Sequence, residues 1–196
     1  MITTKEKLVL ASSSPRRVEL LKNGNIDFEV IEHSIDEKLF IEKNPQKLVS
    51  ILSYNKALSV SKLDRFIDRY VIGVDTIVVY KNNILGKPIN EEEALFNIKR
   101  LSGDKHLVIS GIAVVNSKLN IKDIKTAMSV VYFNKLNDKF LEYYIDNNLW
   151  KGYAGGYAIQ GIFSLVIKKV VGSYTNIVGL PMEILYKMLE KLDLIK

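Results

Sequence analysis

Leu8-Val9-Leu10-Ala11-Ser12-Ser13-Ser14-Pro15-Arg16-Arg17 is the stretch from which the rest of the chain is read. The apolar run Leu8–Ala11 has the character of a short buried strand. Ser14 then offers an N-cap oxygen, and Pro15 fits the first helical position. The helix runs through Val18, Leu20 and Leu21 and stops near Gly24. Its first turn carries Arg16 and Arg17, although a helix N-terminus is already electropositive and favours acidic residues. Two cations there cost stability unless an anion covers them. Strand, serine-rich turn, helix N-terminus and two arginines together make a phosphate site. The alternative leaves both arginines pointing into solvent.

Outward from this stretch the chain alternates strands and helices. Strands are expected at 7–11, 28–32, 70–80, 83–86, 107–116, 119–122, 125–133 and 163–169, and helices at 15–23, 45–62, 91–101, 138–147 and 181–193. Asn82-Asn83 tolerates positive φ and marks a hairpin. Glu91-Glu92-Glu93 suits a first helical turn. The stripe Met182, Leu185, Met188 and Leu189 behind Pro181 reads as core. Helices mixed with strands joined by short turns imply an α/β, mixed α+β fold built on a mixed twisted sheet with flanking helices.

The chain of 196 residues is most economically one domain, or two small lobes without a flexible linker. It has no cysteine, which excludes disulfides and thiolate catalysis. No apolar run approaches the roughly 20 residues that span a bilayer. Thr3, Lys5, Glu6 and Lys7 interrupt any leader-like start, so a cytoplasmic protein without membrane contact is expected. The net charge of +6 is spread over scattered lysines, which argues against nucleic acid and suits a polyanionic small substrate.

Asp75 is the strongest catalytic candidate. It interrupts the apolar strand Tyr70-Val71-Ile72-Gly73-Val74-Asp75-Thr76-Ile77-Val78-Val79-Tyr80. Aspartate is depleted in strands, and a buried carboxylate needs a metal, a cationic partner or a reaction to serve. A structural ion pair with a lysine is the competing reading. Lys87, in Leu85-Gly86-Lys87-Pro88, and Lys56, in Tyr54-Asn55-Lys56-Ala57, could each meet a phosphate or simply be solvated. Gly152-Tyr153-Ala154-Gly155-Gly156-Tyr157-Ala158-Ile159-Gln160-Gly161 suggests backbone wrapped closely around something, with Gln160 able to donate and accept at a base edge. No phosphate-binding G-x-x-x-x-G-K motif and no G-x-S-x-G occurs. His33 and His106 have no ligand spacing, so a histidine zinc site and a serine triad are not expected. Magnesium or manganese on carboxylates stays open, with Asp36-Glu37 as candidates beside the default of an exposed acidic turn.

Taken together, these segments resemble the Maf family of nucleoside triphosphate pyrophosphatases. The matching pieces are Leu10–Arg17, Ile35-Asp36-Glu37, Asn55-Lys56-Ala57, Gly73–Val78, Leu85-Gly86-Lys87-Pro88, Leu101-Ser102-Gly103 with His106, Ser110-Gly111, Ala154–Gly161, Gly172-Ser173-Tyr174 and Asn176–Pro181. The resemblance covers nearly the whole chain in order. It implies a fold with a central cleft, related to the inosine triphosphate pyrophosphatases, and a homodimer. It implies hydrolysis of a nucleoside triphosphate to the monophosphate and pyrophosphate with a divalent metal, magnesium or manganese. On this resemblance Asp75 activates water, Glu37 and Asp75 serve the metal, and Ser12, Ser14, Arg16, Arg17, Lys56 and Lys87 hold the triphosphate. Arg16, Thr76 and Gln160 match the pattern associated with dTTP and UTP. Tyr153 stands where many members carry lysine, and Asn134 where many carry arginine.

A triphosphate carries about four negative charges near pH 7, so cations must withdraw charge while a carboxylate takes the water's proton. Under this reading, removing either arginine weakens triphosphate binding and slightly stabilises the empty protein. The rival reading is a nucleic-acid-binding or nucleotide-binding regulator of cell division without significant catalysis. Release of pyrophosphate by the purified protein separates the two.

Overall fold

The computed structural model describes residues 4–195. The strands are β1 (Leu8–Leu10), β2 (Phe28–Val30), β3 (Val71–Tyr80), β4 (Asn83–Leu85), β5 (Lys105–Asn116), β6 (Ile121–Phe133) and β7 (Ile167–Val171). The helices are α1 (Pro15–Asn23), α2 (Pro45–Ser61), α3 (Glu91–Leu101), α4 (Asp138–Asp146), α5 (Tyr174–Val178) and α6 (Met182–Lys191). The sheet order is β2-β1-β3-β5-β6-β7, with β4 paired to β3. β1 runs parallel to β2 and β3, whereas β4 on β3 and β7 on β6 are antiparallel. This is the expected mixed sheet with flanking helices.

The chain divides into two compact units. One holds the chain up to Thr76, Ser110–Ala127 and the chain from Gly179 onward; the other holds Ile77–Ile109 and Met128–Val178.

In the first unit, strand alternation makes two cores. Leu8, Leu10, Ile72, Val74, Ile112 and Val114 pack with Leu21 of α1 and with Leu185, Met188 and Leu189 of α6. Val9, Ala11, Val71, Ala113 and Val115 pack with Ala57 and Val60 of α2. Helices therefore cover both faces. α2 lies unusually close: a Cβ on Gly73 would come 2.1 Å from the Ser53 carbonyl oxygen, and one on Gly111 2.1 Å from that of Val49. The same alternation assigns Asp75 to the α2 face and Thr76 to the opposite face.

The second unit has an aromatic core. Phe133, Tyr144, Tyr157 and Phe163 are buried and in mutual ring contact. Its β3–β4 hairpin pairs Tyr80 with Asn83. The positive-φ residues are Lys81 and Asn82, at φ 46° and 67°, one position earlier than the Asn82-Asn83 reading.

Three further expectations are corrected. The strands expected at 119–122 and 125–133 are one strand, β6, because the chain crosses Asp123 and Lys125 without a turn. The strand expected at 163–169 begins only at Ile167, behind a 3-10 segment at Gly161–Val166. The helix α5 was not expected.

Candidate active site

The first unit gathers most of the candidate residues. Val49, Leu52, Ser53, Lys56, Ala57 and Val60 are buried along α2, on the side that faces the sheet. The contacts of Gly73 and Gly111 hold that side against β3 and β5, so Lys56 meets Asp75. Its Nζ lies 2.6 Å from Asp75 Oδ1 and 2.8 Å from Glu37 Oε1. Lys56 and Asp75 side chains are only 4% and 8% exposed, whereas Glu37 is 49% exposed. Asp75 Oδ2 is buried and takes no hydrogen bond among the described residues. His33 Nε2 stands 3.8 Å from Glu37 Oε1. Burial and the neighbouring Lys56 push the His33 pKa below its usual value.

A second group sits around Arg17. Its Nε donates to the Gly179 carbonyl at 2.9 Å, Nη1 to Ser12 Oγ at 2.9 Å and Nη2 to Thr76 Oγ1 at 3.4 Å. Thr76 Oγ1 shares a 2.9 Å bond with Ser110 and donates to the Gly179 carbonyl at 3.3 Å. Burial lowers the Arg17 pKa to about 10, opposed by Asp75, so the guanidinium stays charged near neutrality. The solvent alternative is thus excluded for Arg17, which is tied inward.

Arg16 lies half-buried in the first turn of α1. Ser14 occupies the N-cap position but makes no side-chain cap bond; its own N–H donates to Ser12 Oγ at 3.3 Å. The expected Ser14 cap is therefore corrected: Ser12 Oγ, preceding it, takes the local donors instead. Asn44, Asn90 and Asn137 do cap α2, α3 and α4. α1 has no side-chain cap from Ser14 and no acidic residue in its first turn, which suits an incoming anion.

Lys87 and Gln160 belong to the second unit, on loops that touch each other. The Gly155 N–H donates to the Gly86 carbonyl at 2.8 Å. Lys87 is exposed and Gln160 half-buried. Neither side chain has a hydrogen-bond or ion-pair partner among the described residues.

The donor set is compatible with a hard divalent cation. Asp75 Oδ2 is an orphaned buried oxygen, and Glu37 shares Lys56 with the same aspartate. No group of three His, Cys, Asp or Glu side chains that could hold a metal occurs among the described residues. One or two carboxylates completed by waters and substrate phosphates is the usual arrangement for magnesium.

Sequence reasoning missed His33, although it precedes Glu37 by one helical-turn spacing. It also missed the use of the Gly179 carbonyl as an acceptor, for which no sequence signal exists.

The family described as "Maf-like protein" has a sequence model that matches residues 7–192. The chain belongs to the Maf family. A dTTP/UTP pyrophosphatase from Thermoanaerobacter sp. (strain X514) is 43% identical over 187 residues, 94% of this chain and 96% of its own. A dTTP/UTP pyrophosphatase from Geobacillus sp. (strain WCH70) is 41% identical over 90% of this chain and 93% of its own. Another, from Clostridioides difficile (strain 630), is 41% identical over 94% of each chain. Among solved structures, a HAM1 protein from Coxiella burnetii gives a TM-score of 0.38 at 14% identity, covering 65% of this chain and 72% of that one. No helix among the described residues of this Maf chain is long and apolar enough to cross a membrane.

Proposed function

We propose that the protein hydrolyses nucleoside triphosphates to the monophosphate and pyrophosphate, with dTTP, UTP or their modified pyrimidine relatives as preferred substrates. The observation that carries the reading is the buried Lys56 that joins Asp75 to Glu37 and leaves one aspartate oxygen unused. Family membership and the names of the full-length relatives support the same reaction.

Lys56 holds Asp75 through Oδ1. Oδ2 is then the atom that takes the proton of the attacking water. The water oxygen forms a bond to the α-phosphorus while the bond from that phosphorus to the bridging oxygen breaks, and pyrophosphate leaves. Arg16, with the N-terminal end of α1, Ser12 and Ser14, receives phosphate oxygens. Arg17 contributes its charge while its hydrogen bonds hold Ser12 and Thr76 in place. Lys87 supplies a further cation. Glu37 would hold the divalent metal, magnesium or manganese, with the Asp75 carboxylate beside it, and the metal would supply Lewis-acid stabilisation of phosphate charge.

Gln160 reads the base. Its carboxamide offers a donor and an acceptor, complementary to an imide edge, and has no partner among the described residues. Thr76, within the Arg17 group, matches the residue type that the family resemblance associates with dTTP and UTP.

General-base contributions are typically about 10²–10⁴-fold. Asp75→Asn should lower pyrophosphate release from dTTP by that order while the protein stays folded by circular dichroism. A folded Asp75→Asn protein with near-normal turnover removes Asp75 from the reaction. A wild-type preference for dATP or dGTP over dTTP and UTP removes the pyrimidine reading while leaving the hydrolase intact.

A further inference from the structure

Gln160 sits in a stretch anchored by side chains that take no part in the reaction. From Tyr157 (φ −139°, ψ 156°) to Gln160 (φ −79°, ψ 165°) the backbone is extended at both ends. Its side chains alternate accordingly: Tyr157 and Ile159 are 5% and 6% exposed, while Ala158 and Gln160 are half-buried. Tyr157 reaches His106 on β5, where its hydroxyl and His106 Nε2 share a 2.6 Å hydrogen bond. Its ring meets Phe133 edge-on at 4.9 Å and Phe163 at 5.1 Å. Phe163 is fully buried, so Gln160 lies midway between two aromatic anchors.

Packing alone does not need the tyrosine hydroxyl. A phenylalanine would fill the same aromatic space without bringing a buried polar group that must find a partner. His106 provides that partner although it is itself only 2% exposed. Apolar ring contacts are non-directional and tolerate a loop that slides or tilts. A short buried hydrogen bond fixes one ring at one point, and with it the phase of the alternating run. The same stretch is tied through Gly155 to the carbonyl of Gly86, next to Lys87.

We propose that the His106–Tyr157 pair is the positioning device that sets the Gln160 carboxamide, so that two residues which never touch substrate determine base specificity. The inference rests on Gln160 being the base reader. His106 and Tyr157 are positioning residues, and their removal should appear in KM and in base preference rather than in the chemical step.

The test compares wild type, Tyr157→Phe, Gln160→Ala and the double variant, with dTTP, UTP, dATP and dGTP as substrates. Tyr157→Phe keeps the ring and should fold. Loss of one internal hydrogen bond corresponds to about a two- to tenfold change. KM for dTTP and UTP should rise by that amount and the pyrimidine-over-purine ratio fall with it, while kcat stays within about twofold. In the Gln160→Ala background Tyr157→Phe should add nothing to the ratio. His106→Gln should reproduce the effect, and backbone hydrogen exchange should quicken across 152–161. If Gln160→Ala erodes the ratio and Tyr157→Phe leaves both KM and ratio at wild type, the positioning role is overturned and Gln160 stands. If Tyr157→Phe erodes the ratio but Gln160→Ala does not, Gln160 is not the reader and the pair does not act through it. If neither changes the ratio, both readings fall.

Discussion

The two units treat their candidate site residues in opposite ways. In the first, the charged groups are already bound to one another: Lys56 spans Asp75 and Glu37, and Arg17 spends its donors on Gly179, Ser12 and Thr76. In the second, Lys87 and Gln160 have no partners among the described residues. The first pattern suits groups that must stand in one geometry before charge develops, since preorganised charge costs no rearrangement during reaction. The second suits groups whose hydrogen bonds are reserved for a ligand, where discrimination comes from leaving them unpaired with the wrong one.

Substitutions can break that contrast. Lys56→Met should give the largest effect. It leaves two carboxylates close together with the buried one uncompensated, which for a buried pair costs about 3–5 kcal/mol. Chemical denaturation should show the loss, and turnover should fall with it. An unchanged midpoint would mean that Asp75 is accommodated without its lysine.

Acid should come next, and it acts on the second unit. Burial pushes His106 down to about 4 from an ordinary 6.5, against a smaller opposing pull from Asp104. The unfolded chain therefore binds a proton that the folded protein refuses between these values. Stability from this group is full above about pH 6.5 and is lost as pH falls towards 4, by about 3 kcal/mol in all. Stability measured against pH in wild type and His106→Gln should differ in that window by this slope. Parallel curves would show that His106 is not held neutral by burial.

Arg17→Ala should destabilise the empty protein by about 1–3 kcal/mol, because three acceptors each lose one donor. This reverses the sign expected from the helix terminus alone. Thermal midpoints of the empty wild type and Arg17→Ala check the sign. The smallest stability effect belongs to Gln160→Ala, expected within about 0.5 kcal/mol of wild type. A large loss there would make Gln160 a structural residue and dissolve the contrast between the units.

Much of this was legible in the sequence, and what was not has identifiable causes. Asp75 stood out because a carboxylate is anomalous in an apolar strand. A lysine partner was among the readings, but which lysine was not, since Lys56 is an ordinary helix residue until the Gly73 and Gly111 contacts bring α2 onto the sheet. The strand–turn–helix of the opening stretch was correct in outline, but the direction of Arg17 depends on a carbonyl far along the chain at Gly179. The hairpin was visible in Asn82-Asn83, yet its position was decided by the pairing of Tyr80 with Asn83. β6 looked like two strands because charged residues on one face of a long strand imitate a turn when read as a run. The His106–Tyr157 contact joins residues that sequence inspection had placed in separate motifs.

Because side chains alternate along β3, Asp75 and its neighbour Thr76 serve opposite faces of one strand, the acid towards α2 and the hydroxyl towards Arg17. The strand therefore has a parity. Lengthening or shortening it by a single residue ahead of Asp75 would exchange their faces, turning the hydroxyl towards the α2 side and the carboxylate towards the side of Arg17. A change of two residues would keep the assignment and only slide it along. Homologous chains are thus expected to vary in loop length freely around this strand, while the segment between its pairing with β1 and Asp75 admits insertions and deletions only in even steps.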